Sequence, residues 1–223
     1  ENFAMRKIII FFLFATYVVQ AQSEINFNDD KYLEDQIYVS LTYNKLTELP
    51  ESFSQTGFSY GLGFGAIKDL PLNERRNFGL GIGLGYSLNI YYFNVKEDIT
   101  SLPETPSNTL KSNKVATHSF EMPLELRFRT STSQKYKFWR MYPGFKMAYI
   151  FVTNSKLKQR EDFQVDEIVE TSKFNYGLTF SAGYNKWNFH LYYGLNDLFS
   201  EVKNNNYNIG IQDLRVGLIF YIY

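Results

Sequence analysis

Between Phe78 and Tyr92 the chain alternates, residue by residue, between bulky and small or polar side chains. Phe78, Leu80, Ile82, Leu84, Tyr86, Leu88, Ile90 and Tyr92 form one set; Gly79, Gly81, Gly83, Gly85, Ser87, Asn89 and Tyr91 form the other. A period of two belongs to an extended strand, whose successive side chains point to opposite faces. A helix would scatter both sets around its axis, so this segment has to be a two-faced strand. Gly61-Leu62-Gly63-Phe64-Gly65-Ala66 repeats the pattern, with Phe58, Tyr60, Leu62 and Phe64 opposed to Ser59, Gly61, Gly63 and Gly65.

Six more segments alternate in the same way. Ile37, Val39, Leu41 and Tyr43 oppose Tyr38, Ser40, Thr42 and Asn44. Phe120 to Phe128 at even positions oppose Glu121, Pro123, Glu125, Arg127 and Arg129, and Trp139 to Phe151 alternate with Arg140, Tyr142, Gly144, Lys146 and Ala148. Phe174–Tyr184 and Trp187–Leu195 follow, and Leu214–Ile222 is last, with Arg215, Gly217 and Tyr221 on its polar face. Eight strands is an even number, as a single-chain bacterial outer-membrane barrel requires. The expected fold is all-β: an eight-stranded antiparallel up-and-down transmembrane β-barrel.

Which face meets lipid follows from energy. Turning the fourth strand over would put Glu121, Glu125, Arg127 and Arg129 into hydrocarbon, at about 2–4 kcal/mol for each Arg near the midplane. The apolar face is therefore expected outside. The inverse arrangement, a soluble lipocalin-type barrel, would leave the Gly- and Ser-rich faces of the second and third strands solvated, where such residues are poor strand formers. Aromatic residues near strand ends, among them Tyr38, Phe58, Tyr92, Trp139, Phe151, Phe174, Tyr184 and Trp187, fit interfacial girdles.

The N-terminus has targeting character. Met5 is followed by Arg6 and Lys7, an apolar run from Ile8 to Val19, and Val19-Gln20-Ala21 as a small-residue cleavage site. Residues 1–21 are expected to be a signal peptide, with 1–4 lying ahead of the natural start; 22–35 a short periplasmic segment; and 36–223 the barrel. Strand connections alternate long (Thr47–Thr56, Lys96–Thr117, Asn154–Ser172, Asp197–Gly210) and short (Ile67–Asn77, Thr130–Lys137, Asn185-Lys186). That alternation places long loops outside the cell and both termini in the periplasm, in a bacterial outer membrane.

With these elements in place, the sequence resembles the PorT-like "porin family" outer-membrane β-barrel proteins of Bacteroidota. The resemblance rests on Gly57–Ala66 and Phe78–Asn89, on Ser119-Phe120-Glu121-Met122-Pro123-Leu124-Glu125-Leu126, on Tyr142-Pro143-Gly144-Phe145, on Tyr176–Tyr184, and on the aromatic last strand. It implies a barrel and leaves the activity open. The family includes a component of a secretion machine, whose own N-terminal sequence Asn26–Asp35 does not resemble.

Chemistry is sparse. With 23 basic and 23 acidic residues the net charge is zero, which argues against a nucleic-acid footprint. There is no cysteine, hence no disulfide framework or thiolate metal site. The Gly61–Ala66 run fits a dinucleotide-binding expression, but that fingerprint needs a strand-to-helix turn. His118 and His190 are the only histidines and would need a shared rim and a further ligand to bind metal. An outer-rim enzyme would draw on Ser119, His118 and Asp197 or Glu201, with nothing in their spacing to select them. No catalytic residue, cofactor or metal is expected. The informative set is the inward ionisable one: Glu121, Glu125, Arg127, Arg129, Arg140, Lys146 and Arg215. Hairpin spacing sets Glu125 near Arg140 or one pair away, and Glu121 near Lys146 or Gly144. An eight-stranded lumen is just wide enough for side chains to fill, so this set is expected to plug it as a salt-bridge network. The expected role is a structural or accessory subunit of a larger outer-membrane assembly, with a narrow channel and an outer-membrane enzyme as competitors. Its expected partners are outer-membrane lipid, lipopolysaccharide and other outer-membrane proteins.

Overall fold

A computed structural model of the chain describes residues 36–49, 53–73, 75, 77–95, 112–130, 139–158, 169–202 and 208–222. The chain divides into two compact units, Glu1–Tyr32 and Leu33–Tyr223. The first lies outside the described residues, and so do the expected signal peptide and the 22–35 segment.

The described strands are β1 (Gln36–Thr47), β2 (Phe53–Gln55), β3 (Tyr60–Pro71), β4 (Phe78–Val95), β5 (Ser112–Arg129), β6 (Trp139–Lys158), β7 (Val169–Thr171), β8 (Phe174–Tyr184), β9 (Trp187–Gly194), β10 (Phe199–Val202) and β11 (Asn208–Ile222). Eight of them, β1-β3-β4-β5-β6-β8-β9-β11, pair antiparallel in chain order. β1 then pairs with β11 from Ile37↔Ile222 to Thr47↔Gln212 and shuts the ring. A closed ladder satisfies every strand's backbone without presenting an edge, the condition a sheet must meet in hydrocarbon.

The expected parity holds along the walls up to a break near the end of β6, but Tyr38, expected in an interfacial girdle, is an inward position buried in the lumen. Phe58, Phe64, Leu84, Phe120, Trp139, Phe174 and Trp187 are each 58–71% exposed, while Glu121, Glu125, Arg127 and Arg215 are buried inside. The lipocalin-type arrangement, apolar side in, is excluded by this inversion. The glycine faces of β3 and β4 make room for the filling: a Cβ on Gly65 or Gly85 would collide with the Tyr38 ring, and one on Gly81 with the Arg127 guanidinium.

Two features differ from the sequence expectation. The wall is tallest at β4, β5 and β6, which run 18, 18 and 20 residues. Residues 67–71, 112–117 and 154–158, expected in connections, are paired strand (Ile67↔Gly83 to Pro71↔Gly79; Ser112↔Lys158 to Ala116↔Asn154). Short strands also occupy other expected loops: β2 pairs with the end of β4, and β10 pairs with both β11 and β7. On β6, Ser119↔Ile150 is followed by His118↔Val152, which leaves Phe151 as a bulge. Ile150 inward and Phe151 outward keep the preceding parity, and the extra residue turns Val152 outward as well, against that parity. At the opposite end, the Asn185-Lys186 turn joins Tyr184 to its partner Trp187. Asn185 adopts φ 58° there, a left-handed conformation that Asn tolerates.

Candidate functional site: the filled lumen

Among the described residues the interior is where the fold gathers reactive groups, and it is organised in three tiers. The lower tier lies where β5 ends and β6 begins. Asp69 reaches in from β3 and pairs with Arg129; its Oδ1 is 3.6 Å from Arg127 Nη1. Arg127 Nη2 is 3.2 Å from Glu125 Oε2 two residues earlier on β5. Tyr221 Oη donates to Glu125 Oε1 from β11 at 3.2 Å. The Arg127 guanidinium, wholly buried, lies 4.9 Å from the Tyr142 ring centroid and 5.8 Å from that of Tyr221. Aromatic faces attract a cation and carry no desolvation cost of their own.

The middle tier centres on Glu121. Lys146 Nζ approaches Oε2 at 3.1 Å and Arg215 Nη1 approaches Oε1 at 3.3 Å, one cation per oxygen. Arg215 Nε also donates to Asp213 Oδ2 at 2.6 Å, and Tyr91 Oη donates to the same oxygen at 2.8 Å. Tyr192 sits under both cations, 5.0 Å from Lys146 and 4.5 Å from Arg215. Neutral polar groups fill the remaining wall: Thr42, Asn44, Asn89, Ser87 and Ser119 form a chain of hydrogen bonds of 2.8–3.2 Å.

The upper tier is apolar. Leu46, Tyr91, Phe93, Val115, Ile150 and Ile211 converge from β1, β4, β5, β6 and β11 on Leu198 and Phe199, which are at most 1% exposed. The segment linking β9 to β11 thus folds back into the barrel mouth and caps it. Among the described residues, two small cavities lie below the cap. One lies beside Glu121, Asn89 and Arg215, the other beside Tyr38, Glu125 and Thr179, and they share Ser40, Lys146 and His190. In each, the space open to the centre of a water-sized sphere is about 10 Å³, roughly one water.

All seven ionisable residues singled out in the sequence are buried in this lumen. Glu121 meets Lys146, as the hairpin spacing predicted. Glu125 does not meet Arg140. Its ladder partner is Gly144, and it binds Arg127 and Tyr221 instead. Arg140 stands opposite Arg129 on the ladder and lies 5.6 Å from the Tyr221 ring. Asp69 and Asp213, which carry half of the acidic charge, were missed, because both lie beyond the stretch where apolar alternation marks the strand. Extending the inward parity by two alternate positions on β3 and one on β11 would have found them.

The other candidates are not brought together. Ser119 is inside and bonded to Ser87, whereas His118 is on the outer face with Nδ1 2.6 Å from Tyr86 Oη. The barrel wall separates them. His190 is inside, 2.8 Å from Ser181 Oγ through Nδ1, so the two histidines share no site. Asp197 is exposed in the connection after β9. Gly61–Ala66 is mid-strand, with no helix following. Among the described residues no group of three or more His, Asp or Glu is arranged to hold a metal ion.

A family model described as an outer membrane protein beta-barrel domain matches residues 20–200. No curated protein matches the chain.

Proposed function

The chain belongs to the outer membrane protein beta-barrel domain family, and on that premise we propose that it is a structural or accessory subunit of a larger outer-membrane assembly, of the secretion or barrel-biogenesis kind. One observation carries this reading: among the described residues the lumen is filled from Asp69 and Arg129 at one end to Leu198 and Phe199 at the other, and the two cavities beside Lys146 and His190 each admit about one water. A barrel so filled offers solutes no path and leaves its rims, loops and outer wall as the surfaces for function. The start of β1 and the end of β11 meet at the end that also holds the Asn185-Lys186 turn. We assign that end to the periplasm, with the long connections extracellular, as in other barrels of this size. Delivery would use the N-terminal signal at 1–21. The resemblance to PorT-like barrels of Bacteroidota fits a place beside other membrane components, and other outer-membrane proteins are the partners this reading requires.

The test combines two measurements on the intact protein. Extraction in mild detergent should bring down a reproducible outer-membrane partner, and planar-bilayer recordings of the purified barrel should be silent. Single-channel steps from the purified barrel would overturn the reading in favour of a narrow channel for ions or small solutes.

A further inference from the structure

The linings of the two lumen cavities are mixed in a way that selects what can occupy them. One is lined by Glu121 together with Lys146 and Arg215, the other by Glu125 together with Lys146. Each therefore presents a carboxylate and at least one cation at once. A free anion would meet Glu121 or Glu125, and a metal cation would meet Lys146 or Arg215, like charges that repel strongly away from bulk water. A small neutral molecule that both donates and accepts hydrogen bonds meets neither penalty.

The cavity beside Glu125 also holds two unpaired hydroxyls. Tyr38 and Thr179 line it and are 4% and 6% exposed. Among the described residues, neither Tyr38 Oη nor Thr179 Oγ1 has a hydrogen-bond partner. Buried polar atoms in folded interiors are almost always satisfied, because leaving one bare forfeits its hydration. Two such atoms on one cavity mark a place for a further hydrogen-bonding molecule, and the space, about 10 Å³ for the centre of a water-sized sphere, fits a single water. Ser40, Lys146 and His190 line both cavities. Lys146 gives one of its three N–H groups to Glu121 Oε2 at 3.1 Å. His190 uses Nδ1 on Ser181 Oγ at 2.8 Å, and Nε2 is its other ring nitrogen. On the side of β3, Gly63 keeps the room: a Cβ there would lie 2.5 Å from Ser40 Oγ.

We propose that the lumen binds two internal waters, one in each cavity, which join the two charged tiers through Lys146 and His190. The water beside Glu125 bonds Tyr38 Oη and Thr179 Oγ1, and the water beside Glu121 lies among Ser87, Asn89 and Arg215. Glu125, whose side-chain partners include Arg127 and Tyr221, thereby gains a hydrogen-bonded route to Lys146 and on to Glu121. The charged filling is then one network of side chains and held water, and the apolar cap at Leu198 and Phe199 covers it.

The experiment uses the full chain and has two arms. Thr179→Val and Tyr38→Phe each keep the shape of the side chain and remove one hydroxyl. A hydroxyl with no partner is lost at no cost or with a gain in stability, whereas one bonded to a held water leaves that water short of a partner. Each variant should therefore lose its compact band on unboiled SDS gels at a temperature roughly 2–4 °C lower than the wild type. The double variant should fall little further, because both hydroxyls serve one water. An unchanged or raised temperature in the single variants, or fully additive losses in the double one, would overturn the site. The second arm needs no variant: a high-resolution crystal structure of the wild type grown with bromide. It should show one water in each cavity, the one beside Glu125 within hydrogen-bond distance of Tyr38 Oη and Thr179 Oγ1. A cavity without a water would overturn the proposal, and an anomalous bromide peak in either would reassign the position to an anion. The accessory role is read separately, from extraction and bilayer recordings, so the two readings can fail independently.

Discussion

The two ends of the lumen are sealed by opposite means. The lower and middle tiers hold four acids and five cations, all buried, each acid with at least one cationic partner. The mouth is closed by aliphatic and aromatic side chains around Leu198 and Phe199. A charged filling is specific but fragile to one-sided change. Bringing ions out of water costs several kcal/mol apiece, and only the partner's proximity offsets it. An apolar filling tolerates changes of shape and loses stability mainly in proportion to volume removed. The same narrow barrel thus contains a region governed by pairing and a region governed by packing, and the two should respond differently to substitution.

The largest effect is expected at Glu121, the carboxylate that meets Lys146 at 3.1 Å and shares Arg215 with Asp213. Glu121→Ala strips Lys146 of its 3.1 Å carboxylate partner and leaves Arg215 to Asp213, and should cost about 3–5 kcal/mol. The checking measurement is the temperature at which the compact band on unboiled SDS gels is lost. The exposed turn residue Lys186 supplies the control, since exposed charges contribute about 0–1 kcal/mol. Equal midpoints for Glu121→Ala and Lys186→Ala would mean that water, not Glu121, compensates the cations.

A somewhat smaller loss is expected in the mouth. Phe199→Ala removes a ring that packs against Tyr91 and Phe93 at centroid distances of 6.2 and 5.7 Å. It should cost about 3 kcal/mol, and Phe199→Leu no more than about 1.5 kcal/mol. If both cost the same, shape is not what closes the mouth. Bilayer recordings of Phe199→Ala should remain silent, because the charged tiers below are untouched; conductance in that variant would show that the cap alone seals the barrel.

This division also explains what could be read from sequence. Strand parity was legible wherever bulky and small residues alternate, as at Phe78–Tyr92, because lipid outside and a crowded lumen inside leave no other solution. The Glu121–Lys146 contact was legible because it joins neighbouring strands of one hairpin. Contacts across the lumen, such as Tyr221 with Glu125 or Tyr91 with Asp213, depend on ring closure and stagger, which no single hairpin encodes. The cap was illegible for a different reason. Asp197–Gly210 reads as a connection, and the inward fold of Leu198 and Phe199 becomes favourable only once Leu46, Phe93, Val115 and Ile211 form an apolar socket around them. The bulge at Phe151 was equally hidden, since periodicity ends there without revealing that the parity restarts.

Salt should have the smallest effect and gives the sharpest view of the charged end. Raising ionic strength from 0.1 to 1 M shortens the screening length from about 10 Å to about 3 Å. Exposed pairs weaken under that change, but Glu121 with Lys146 and Arg215, and Arg127 with Glu125, are enclosed by protein and meet at 3.1–3.3 Å. The folded band of the wild-type barrel should therefore melt within a few degrees of the same temperature at both salt concentrations. Glu121→Ala should be rescued by salt more than the wild type changes, because Lys146, left without its carboxylate, gains most from any anion that can enter. A large salt-induced drop in the wild type would mean that ions reach the pairs. The charged tiers would then be a hydrated conduit and the cap the only seal, and a channel would become the better account of the barrel.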